Sequence, residues 1–323
     1  MLTYFESEEP KEDVFSIAFY NLENLYDIFD DPNTYDEEFT PLGDKRWNVK
    51  KYNNKIQNLG EVIAKIGLEH SMIPPVLVGV AEVENDKVLT DLIQSKPLVS
   101  HHYDFVHFDS PDQRGIDVAL LYQKQYFELL DAINIPLMIY EEDGQRDYTR
   151  DILFVKGNFN GELIHIFINH WPSRREGEKQ SEFKRIAASN TITDFIFKIR
   201  QENPQAKIMV MGDFNDEPQN VSIKLLVKEN DLYNLMESLK DKSKGSSYSQ
   251  DKWYLFDQMI VSKNFFEREN SVHRLKYAEV YDMRFIKTWK GKRKNTPYRT
   301  YIGKWHQGGF SDHFPVLVYL ERF

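Results

Sequence analysis

The sequence predicts an α+β fold in which two β-sheets pack face to face and helices cover their outer sides. Short strand-like runs recur along the whole chain, helical patterns interrupt them irregularly, and no linker, repeat or low-complexity tract divides the 323 residues. Apolar residues make up 41% of the chain and aromatic residues 14%, which is enough for a sizeable core. We therefore expect a single domain over residues 1–323, with about residues 1–13 as a disordered tail.

The predicted strands are short runs rich in Val, Ile and Phe. They cover residues 14–20, 76–82, 103–108, 116–122, 152–159, 163–168, 207–211, 257–262 and 314–320.

Two amphipathic patterns predict helices. Within residues 48–66 the apolar or aromatic side chains fall at 49, 52, 56, 59, 63 and 66, and Asn48 suits an N-cap. Residues 181–200 carry a similar stripe, and residues 220–228 predict a shorter helix. Long loops are expected at 27–47, 240–252 and 283–309. Loops of this length within a compact domain are usually functional or mobile.

Charge and composition exclude several classes of protein. The formal net charge of −10 argues against a generally basic surface for nucleic acid, and the absence of cysteine excludes disulfides and thiolate chemistry. No apolar run approaches the roughly 18 residues of a membrane span. The first residues lack the pattern of a signal peptide. We expect a monomer without a membrane span, cytoplasmic by default unless a leader has been removed.

Acidic, amide and His side chains stand at the ends of several predicted strands. Glu82 ends one apolar run, His170 a second, and Asp213 a third, while Asp312 and His313 precede the last run. Strands that share a sheet can bring their ends into one cleft. Oxygen ligands of this kind suit a hard cation such as Mg²⁺, and His beside carboxylates suits proton transfer. The pattern therefore predicts a metal-dependent hydrolase of phosphate esters.

Each motif also has a purely structural interpretation when it is taken alone. Asp213 and Asn215 are also compatible with an Asx-type turn, and Glu82 with an ion pair or a helix cap. An EF-hand is excluded, because Pro218 stands where that loop needs Gly. Asp257 starts another strand and is a candidate to fix the tautomer of His313.

Arginines near these motifs are candidates for binding phosphate. Arg174 and Arg175 follow the strand that ends at His170, and Arg114 precedes the strand at 116–122. Guanidinium groups bind phosphate oxygens in a bidentate manner. The alternatives are a solvated loop for the first two and an ordinary turn for Arg114.

Residues 284–305 contain eight Lys or Arg and no Asp or Glu, with aromatic residues interleaved. Basic residues among aromatics suit a phosphate backbone with stacked bases, and a solvated loop is the alternative. The candidate substrate contacts here are Trp289, Lys292, Arg293, Lys294 and Arg299.

Together these motifs resemble the endonuclease/exonuclease/phosphatase superfamily, from Phe-Tyr-Asn-Leu-Glu-Asn at residues 19–24 to Ser-Asp-His at 311–313. The resemblance implies a DNase I-like four-layer α/β sandwich and an attack of water on phosphorus that depends on Mg²⁺ or Mn²⁺. It is closest to a bacterial subgroup whose substrate is unassigned.

The resemblance also implies roles for individual residues. Glu82 is similar to the principal metal ligand, Asp312 to the second acidic residue of the metal site, and Asn21 to the residue that supports the metal and its carboxylate. Asp213 and Asn215 match the pair that contacts the attacking water and the phosphate. Asp257 and His313 match an Asp–His pair, and His170 a second histidine. Whether Asp213, His313 or both deprotonate the water is left open.

Three function classes compete. The favoured one is a phosphodiesterase or nuclease acting on nucleic acid. The second is a phosphatase or a phospholipase C-like hydrolase of a small phosphorylated headgroup, of the inositol phosphate or sphingomyelin type. The third is a non-catalytic binding module, which the complete set of acidic and His positions disfavours.

Overall fold

The structure, a computed structural model, describes residues 9–239, 244–267 and 271–323. Residues 1–8 of the expected tail and residues 240–243 of the expected loop at 240–252 lie outside the described residues.

The helices are α1 (Val49–Ile63), α2 (Asp86–Ile93), α3 (Glu182–Glu202) and α4 (Val221–Glu229). The first nine strands are β1 (Val14–Leu25), β2 (Leu77–Val83), β3 (Tyr103–His107), β4 (Asp117–Gln123), β5 (Phe127–Ile135), β6 (Ile139–Tyr140), β7 (Arg146–Asp147), β8 (Ile152–Phe159) and β9 (Glu162–His170). The others are β10 (Lys207–Asp213), β11 (Leu232–Asn234), β12 (Ser247–Ser249), β13 (Lys252–Tyr254), β14 (Asp257–Ser262), β15 (His273–Val280), β16 (Tyr301–Ile302), β17 (Trp305–His306) and β18 (Val316–Arg322).

Twelve of these strands form two six-stranded mixed sheets. The first sheet has the order β15-β18-β1-β2-β4-β3, and the second has the order β11-β14-β10-β9-β8-β5. Each sheet contains a central parallel pair, β1 with β2 and β9 with β10, whose outer neighbours run antiparallel. Because parallel neighbours end at the same edge, the carboxyl ends of both pairs can contribute to one site.

Three apolar cores divide the molecule into four layers. One core lies between the sheets, a second joins the first sheet to α1 and α2, and a third joins the second sheet to α3 and α4. The predicted sandwich of two packed sheets flanked by helices is confirmed. No helix within the described ranges is long and apolar enough to cross a membrane.

The sequence-based elements agree with the structure where apolar runs are continuous and fail where they are not. The runs at 152–159 and 257–262 coincide with β8 and β14, and Asn48 caps α1 by accepting a hydrogen bond from the backbone N–H of Lys51. The edge strand β5 was missed, because its central residues are mostly exposed.

The two sheets approach each other closely at Gly79 in β2. A Cβ atom placed there would lie 2.9 Å from the sulfur of Met211 and 3.1 Å from the ring of Phe19. Only glycine leaves room for this approach without displacing a neighbour. The position is three residues before Glu82, so the close packing lies directly beneath the edge that carries the candidate site.

Candidate active site

The acidic, amide and His residues that the sequence predicts for the site lie at one edge of the sandwich, where the parallel strand pairs of both sheets end. Asp213, the last residue of β10, pairs with His170, the last residue of β9, and with Asp257, the first residue of β14. The segment before β18 adds Asp312 and His313. The strand register alone therefore places three of the predicted residues side by side.

One carboxylate oxygen, Oδ2 of Asp213, lies at the centre of this group. Asn21 donates to it from Nδ2 at 3.1 Å, and the Nε2 atoms of His170 and His313 each lie 3.9 Å away. The second oxygen, Oδ1, accepts from the backbone N–H of Asn215 at 2.9 Å. Burial raises the pKa of Asp213 to about 6. The carboxylate is therefore mostly ionised at neutral pH, with a proton affinity well above that of an exposed aspartate.

His313 is held by a buried carboxylate. Its Nδ1 lies 2.7 Å from Oδ2 of Asp257, which leaves Nε2 directed toward Asp213. Its backbone N–H donates to the hydroxyl of Ser311, which in turn donates to the backbone carbonyl of Asn21. Burial alone would lower the pKa of His313, but the charges of Asp257 and Asp213 outweigh it and raise the pKa well above the usual value.

The surroundings of His170 lower its pKa, whereas those of His313 raise the pKa of that residue. His170 is buried, and burial together with the charges of Arg150 and Arg114 lowers its pKa well below the usual value. Its Nε2 lies 3.9 Å from Oε1 of Glu82 and 3.9 Å from Oδ2 of Asp213. Its Nδ1 has no hydrogen-bond partner within the described residues. The two histidines therefore differ in charge at neutral pH, with His170 neutral and His313 protonated.

A β-bulge shapes the part of the site that belongs to the first sheet. Between two regular pairs of β1 and β2, residues 22–24 oppose the single residue Glu82. Glu23, Asn24 and Glu82 all have positive φ, at 51°, 53° and 62°. The backbone N–H of Asn24 donates to Oε2 of Glu82 at 2.8 Å. Left-handed conformations of residues other than glycine are costly and concentrate at functional sites, and here they turn the Glu82 carboxylate toward the cleft.

Arg114 lies beside the Glu82 carboxylate. Its Nη1 is 3.7 Å from Oε1 of Glu82, and its Nη2 donates to the side-chain oxygen of Asn24. Its backbone carbonyl accepts from the hydroxyl of Tyr26 at 2.8 Å. The structure thus places this predicted phosphate-binding residue next to the predicted metal ligand.

On the other side of the site, Arg299 connects Asp312 with Glu23. Its Nη2 donates to Oδ2 of Asp312 at 2.8 Å, and its Nε donates to Oε1 of Glu23 at 3.3 Å. Burial favours a raised pKa for Asp312, but the charges of Arg299, His313 and Lys55 together outweigh it and lower the pKa. Glu23 is buried and also accepts from the backbone N–H groups of Thr300 and Tyr301 at 2.6 and 3.4 Å. No motif in the sequence predicts these contacts of Glu23.

The loop that carries Arg299 is also fixed by α1. The ammonium group of Lys55 donates to the hydroxyl of Thr300 at 2.5 Å and to the carbonyl of Phe310 at 2.6 Å. Asn58 donates to the carbonyls of residues 308 and 309. Burial lowers the pKa of Lys55 to about 8. These contacts hold both ends of the loop against the helix.

Asn215 contacts its surroundings mainly through its backbone. It has a φ of 49°, its N–H donates to Asp213, and its carbonyl accepts from Nε of Arg174 at 2.6 Å. Its side-chain amide donates to the carbonyl of Trp171 at 2.9 Å. The residue therefore fixes the turn that follows β10 next to the Asp213 carboxylate.

The structure gives Arg174 a different setting from the predicted phosphate clamp. Its guanidinium forms ion pairs with Asp216 at 2.7 Å and Glu178 at 3.1 Å, besides donating to the Asn215 carbonyl. These contacts occupy the donors that a phosphate would need. Arg175 is exposed and contributes to the positive potential around His170.

The basic segment at 284–305 folds back beside the site instead of forming one continuous cationic surface. Its acid partners come from other parts of the chain: Lys292 pairs with Asp251 at 2.7 Å, and Lys304 with Asp44 at 2.6 Å. Trp289 is exposed, as is Lys294, and Arg293 is half-buried. Arg299 alone among the candidates in this segment reaches the acidic centre.

Two groups of side chains within the described ranges bring potential metal-ligating atoms within 4.8 Å of one another. One comprises Asp213, Asp257 and His313. The other comprises His107, Asp109 and Asp117, near the first residue of β4. The first group belongs to the candidate site and shows that its donor atoms are close enough to hold a divalent metal.

The family model of the Endonuclease/Exonuclease/phosphatase family matches residues 16–322. The chain belongs to this family. Because the match extends from β1 to β18, it includes every strand end that builds the site. Members of the family are phosphoesterases, and the chain is accordingly a hydrolase of phosphate esters.

Solved structures show the same fold at low sequence identity. The human nocturnin catalytic domain with bound sulfate anion is 15% identical, with a TM-score of 0.59 and coverage of 97% of this chain and 96% of that chain. A family protein from Bacteroides thetaiotaomicron is 16% identical, with a TM-score of 0.59 and coverage of 96% and 98%. A mannosyl-6-phosphatase from the same organism is 17% identical, with a TM-score of 0.57 and coverage of 95% and 99%. No curated protein matches the sequence.

Proposed function

We propose that the protein is a divalent-metal-dependent phosphodiesterase that hydrolyses nucleic-acid phosphodiester bonds by direct attack of water. The observation that carries this proposal is the enclosure of Asp213 Oδ2 by Asn21, His170 and His313. A water molecule next to Asp213 Oδ2 would have one group that can accept its proton. The phosphate that it attacks would have several hydrogen-bond donors around it. No side chain is needed as a covalent nucleophile.

The electrostatic settings favour distinct roles for Asp213 and His313. Asp213 is ionised at neutral pH but basic for a carboxylate, with a pKa of about 6, so it is suited to accept the proton of the attacking water. His313 is protonated beside Asp257, so its Nε2 is suited to donate to a phosphate oxygen. As the bond from the water oxygen to phosphorus forms, the ester bond breaks and its electron pair stays on the leaving oxygen. The water proton passes to Asp213, and the leaving oxygen takes up a proton from solvent.

The residues around Glu82 fit a hard divalent cation, for which we propose Mg²⁺ or Mn²⁺. Oε1 of Glu82 has only long contacts, 3.7 Å to Arg114 and 3.9 Å to His170, and the charges of Glu82 and Asp312 both act on Arg299. If the cation were bound by Asp257 and His313 instead, the 2.7 Å hydrogen bond between these two side chains would be broken. A bound cation would supply neutralisation of the phosphate charge and of the leaving oxygen.

Two guanidinium groups support phosphate binding at the same centre. Arg114 lies beside Glu82, and Arg299 lies beside Asp312. Each uses only part of its five N–H donors in these contacts. We propose both as phosphate-binding residues, with Arg299 taking the place predicted for Arg174.

A phosphatase acting on a small phosphorylated substrate is the second candidate. Two arginines flanking one acidic centre would suit a phosphate dianion, and the ion pairs of Lys292 and Lys304 reduce the cationic charge available to a polyanion. One of the structural neighbours is a mannosyl-6-phosphatase. The basic and aromatic residues beside the site favour the nuclease.

An activity panel separates these candidates. Supercoiled DNA, single-stranded DNA, RNA, inositol phosphates, hexose 6-phosphate, sphingomyelin and bis(p-nitrophenyl) phosphate are incubated with Mg²⁺, Mn²⁺ or EDTA. We expect metal-dependent cleavage of a nucleic acid and of the activated diester, with losses of on the order of 10²-fold or more in Asp213→Asn and His313→Ala. Cleavage of phosphate monoesters alone would refute the nuclease proposal. Full activity in both variants would refute the roles of these residues.

A further inference from the structure

A cavity of about 510 Å³ lies beside the active site, between the segment at 288–307 and the turn of the β12–β13 hairpin. Its walls include exposed and half-buried aromatic rings, cationic side chains and an acidic residue: Trp289, Tyr298, Lys290, Lys292, Arg293 and Asp251. Cavities of roughly 300–1,000 Å³ are typical of small-molecule sites. None of these residues takes part in the proton transfer proposed above.

Both walls of the cavity are continuous with the catalytic centre. On one side, Ser247 forms a bridge with His313, and the hairpin that starts there reaches Asp251 in the cavity wall. On the other side, Tyr298 precedes Arg299, which donates to Asp312. A strand rises about 3.3 Å per residue, so Asp251 lies at most roughly 13 Å along the chain from Ser247, the bridge partner of His313. A group attached to the scissile phosphate can span that distance.

The charges in the walls are partly neutralised, which favours an uncharged ring over a second phosphate as the occupant. The ammonium group of Lys292 is paired with Asp251 at 2.7 Å, and that of Lys290 lies over the Trp289 ring, 4.3 Å from its centroid. Asp251 would also repel an anion that entered the cavity. What the walls offer is aromatic surface, the residual positive charge of Arg293 and the side-chain amide of Gln307.

We infer that this cavity is a base subsite, which binds the heterocyclic ring of a nucleotide adjacent to the scissile phosphate. The inference rests on the proposed nuclease function and specifies the part of the substrate that is recognised outside the catalytic centre. Stacking on an aromatic side chain accepts any base, since every base has a π-face, and the amide of Gln307 offers a donor and an acceptor to its edge. Trp289, with 69% of its surface exposed, is the principal stacking residue, and the base stacks on the ring face that the Lys290 ammonium does not cover.

The chain supplies a matched control for Trp289. Trp305 belongs to the same segment and is 78% exposed, but it does not line the cavity. We therefore compare Trp289→Ala with Trp305→Ala, and we add Trp289→Phe, which keeps an aromatic ring. All three changes are at exposed positions, and thermal unfolding verifies that each variant is folded.

The probes are dinucleotides and the same phosphodiesters with an abasic tetrahydrofuran in place of one nucleoside, on either side of the phosphate. Affinity is measured by calorimetry with Mg²⁺ in the Asp213→Asn background, so that it does not depend on turnover. We expect one of the two abasic probes to bind at least 5- to 10-fold more weakly than the intact dinucleotide, as the loss of one stack implies. Trp289→Ala should abolish that difference, whereas Trp305→Ala and Trp289→Phe should retain it.

Two outcomes would overturn the inference. One is equal binding of intact and abasic probes by the protein with Trp289 present, and the other is an undiminished difference in Trp289→Ala. A hexose 6-phosphate whose binding depends on Trp289, with no difference between intact and abasic probes, would assign the cavity to a sugar and also overturn it. Hydrolysis by the wild-type protein is measured separately, so a failure of the nuclease function is distinguishable from a failure of the base subsite.

Discussion

The imidazole Nδ1 of His313 lies 2.7 Å from Oδ2 of Asp257, and this contact decides which ring nitrogen faces Asp213. Asp257 is fully buried, and its Oδ1 has no hydrogen-bond partner in the part of the chain that the structure describes. A buried carboxylate with a free oxygen is costly unless a nearby positive charge compensates it. The protonated imidazole is that charge, and Asp257 in turn stabilises the protonated form of His313.

Replacing Asp257 with asparagine should therefore shift the pH dependence of the reaction. The carboxylate raises the pKa of His313, and if the protonated form is active, activity falls as the pH rises through that pKa. In Asp257→Asn this loss should occur at lower pH, and turnover at neutral pH should fall by on the order of 10²-fold. The measurement is kcat against pH on an activated diester. A variant whose alkaline limb coincides with that of the wild type would contradict the proposed charge state.

Removing the Glu82 carboxylate should weaken binding of Mg²⁺ or Mn²⁺. We expect Glu82→Gln to lower the affinity measured by calorimetry by about 10-fold or more, because one anionic ligand is lost. Asp109→Asn serves as a matched control in the second cluster of potential ligands, with His107 and Asp117. If Asp109→Asn reduced the affinity and Glu82→Gln did not, the principal metal site would lie at the opening of β4.

Glu23 should act as a positioning residue for Arg299. The Glu23→Gln change keeps the size of the side chain but removes the charge that holds the Arg299 guanidinium and two backbone N–H groups. We expect kcat/KM on a small diester to fall by roughly 10-fold, with KM raised more than kcat is lowered, because Arg299 is proposed to bind phosphate. Glu128→Gln, at an exposed position of β5, is the control. An unchanged KM would show that Glu23 has a structural role only.

Neutralising Lys292, Arg293 and Lys294 together should flatten the salt dependence of nucleic-acid binding. Each phosphate contact that is lost reduces the slope of log affinity against log salt by about 0.7–0.9. Because Lys292 is paired with Asp251, we expect the triple variant to reduce the slope by less than three full contacts. Hydrolysis of a small diester should be unaffected. A wild-type slope in the triple variant would remove the segment from the binding surface.

At the opposite edge of the sandwich, Glu162 should make stability depend on pH. Burial favours a raised pKa, but the contacts with His273 at 3.0 Å and Lys207 at 2.7 Å outweigh it and lower the pKa to about 2. Since the folded pKa lies below the ordinary value of about 4.3, the stabilisation is complete above that value and is lost as the pH falls toward 2. We expect Glu162→Gln to remove an acid-dependent loss on the order of 2 kcal/mol from the free energy of unfolding.

Chemical denaturation between pH 7 and pH 2 measures this loss. The exposed Glu142→Gln is the control and should retain the acid dependence of the wild type. Parallel curves for the wild type and Glu162→Gln would contradict the low pKa.

Much of the geometry of the candidate site could be predicted from the sequence, because its residues lie at the ends of strands. His170 and Asp213 each end an apolar run, and parallel pairing of the two strands places them together whatever the side-chain details. That the 323 residues form one domain stays a prediction, as do the roles assigned to individual side chains.

The residues whose surroundings the sequence does not predict depend on distant partners. Glu23 lies within β1, and only the bulge opposite Glu82 and the approach of Arg299 from the C-terminal segment give it a setting. Arg174 follows His170 as a phosphate clamp would, but Asp216 pairs with it across the turn after β10. No local pattern distinguishes an arginine that binds substrate from one that is neutralised by an acid forty residues away.

The close approach of the two sheets at Gly79 helps to fix the distance between the candidate-site residues of one sheet and those of the other. Asn21 and Glu82 belong to one sheet, and His170 and Asp213 to the other, so the separation of the sheets is also the width of the catalytic centre. Even one added methyl group at residue 79 would press on the Met211 side chain of the opposite sheet and on the Phe19 ring of its own sheet, so at least one of them would have to move. Displacement of a catalytic group by about 1 Å can lower the rate of an enzyme by about 10²-fold. A similar displacement within the core usually lowers stability only modestly. A substitution of Gly79 is therefore expected to lower the turnover rate by more than its effect on stability would suggest.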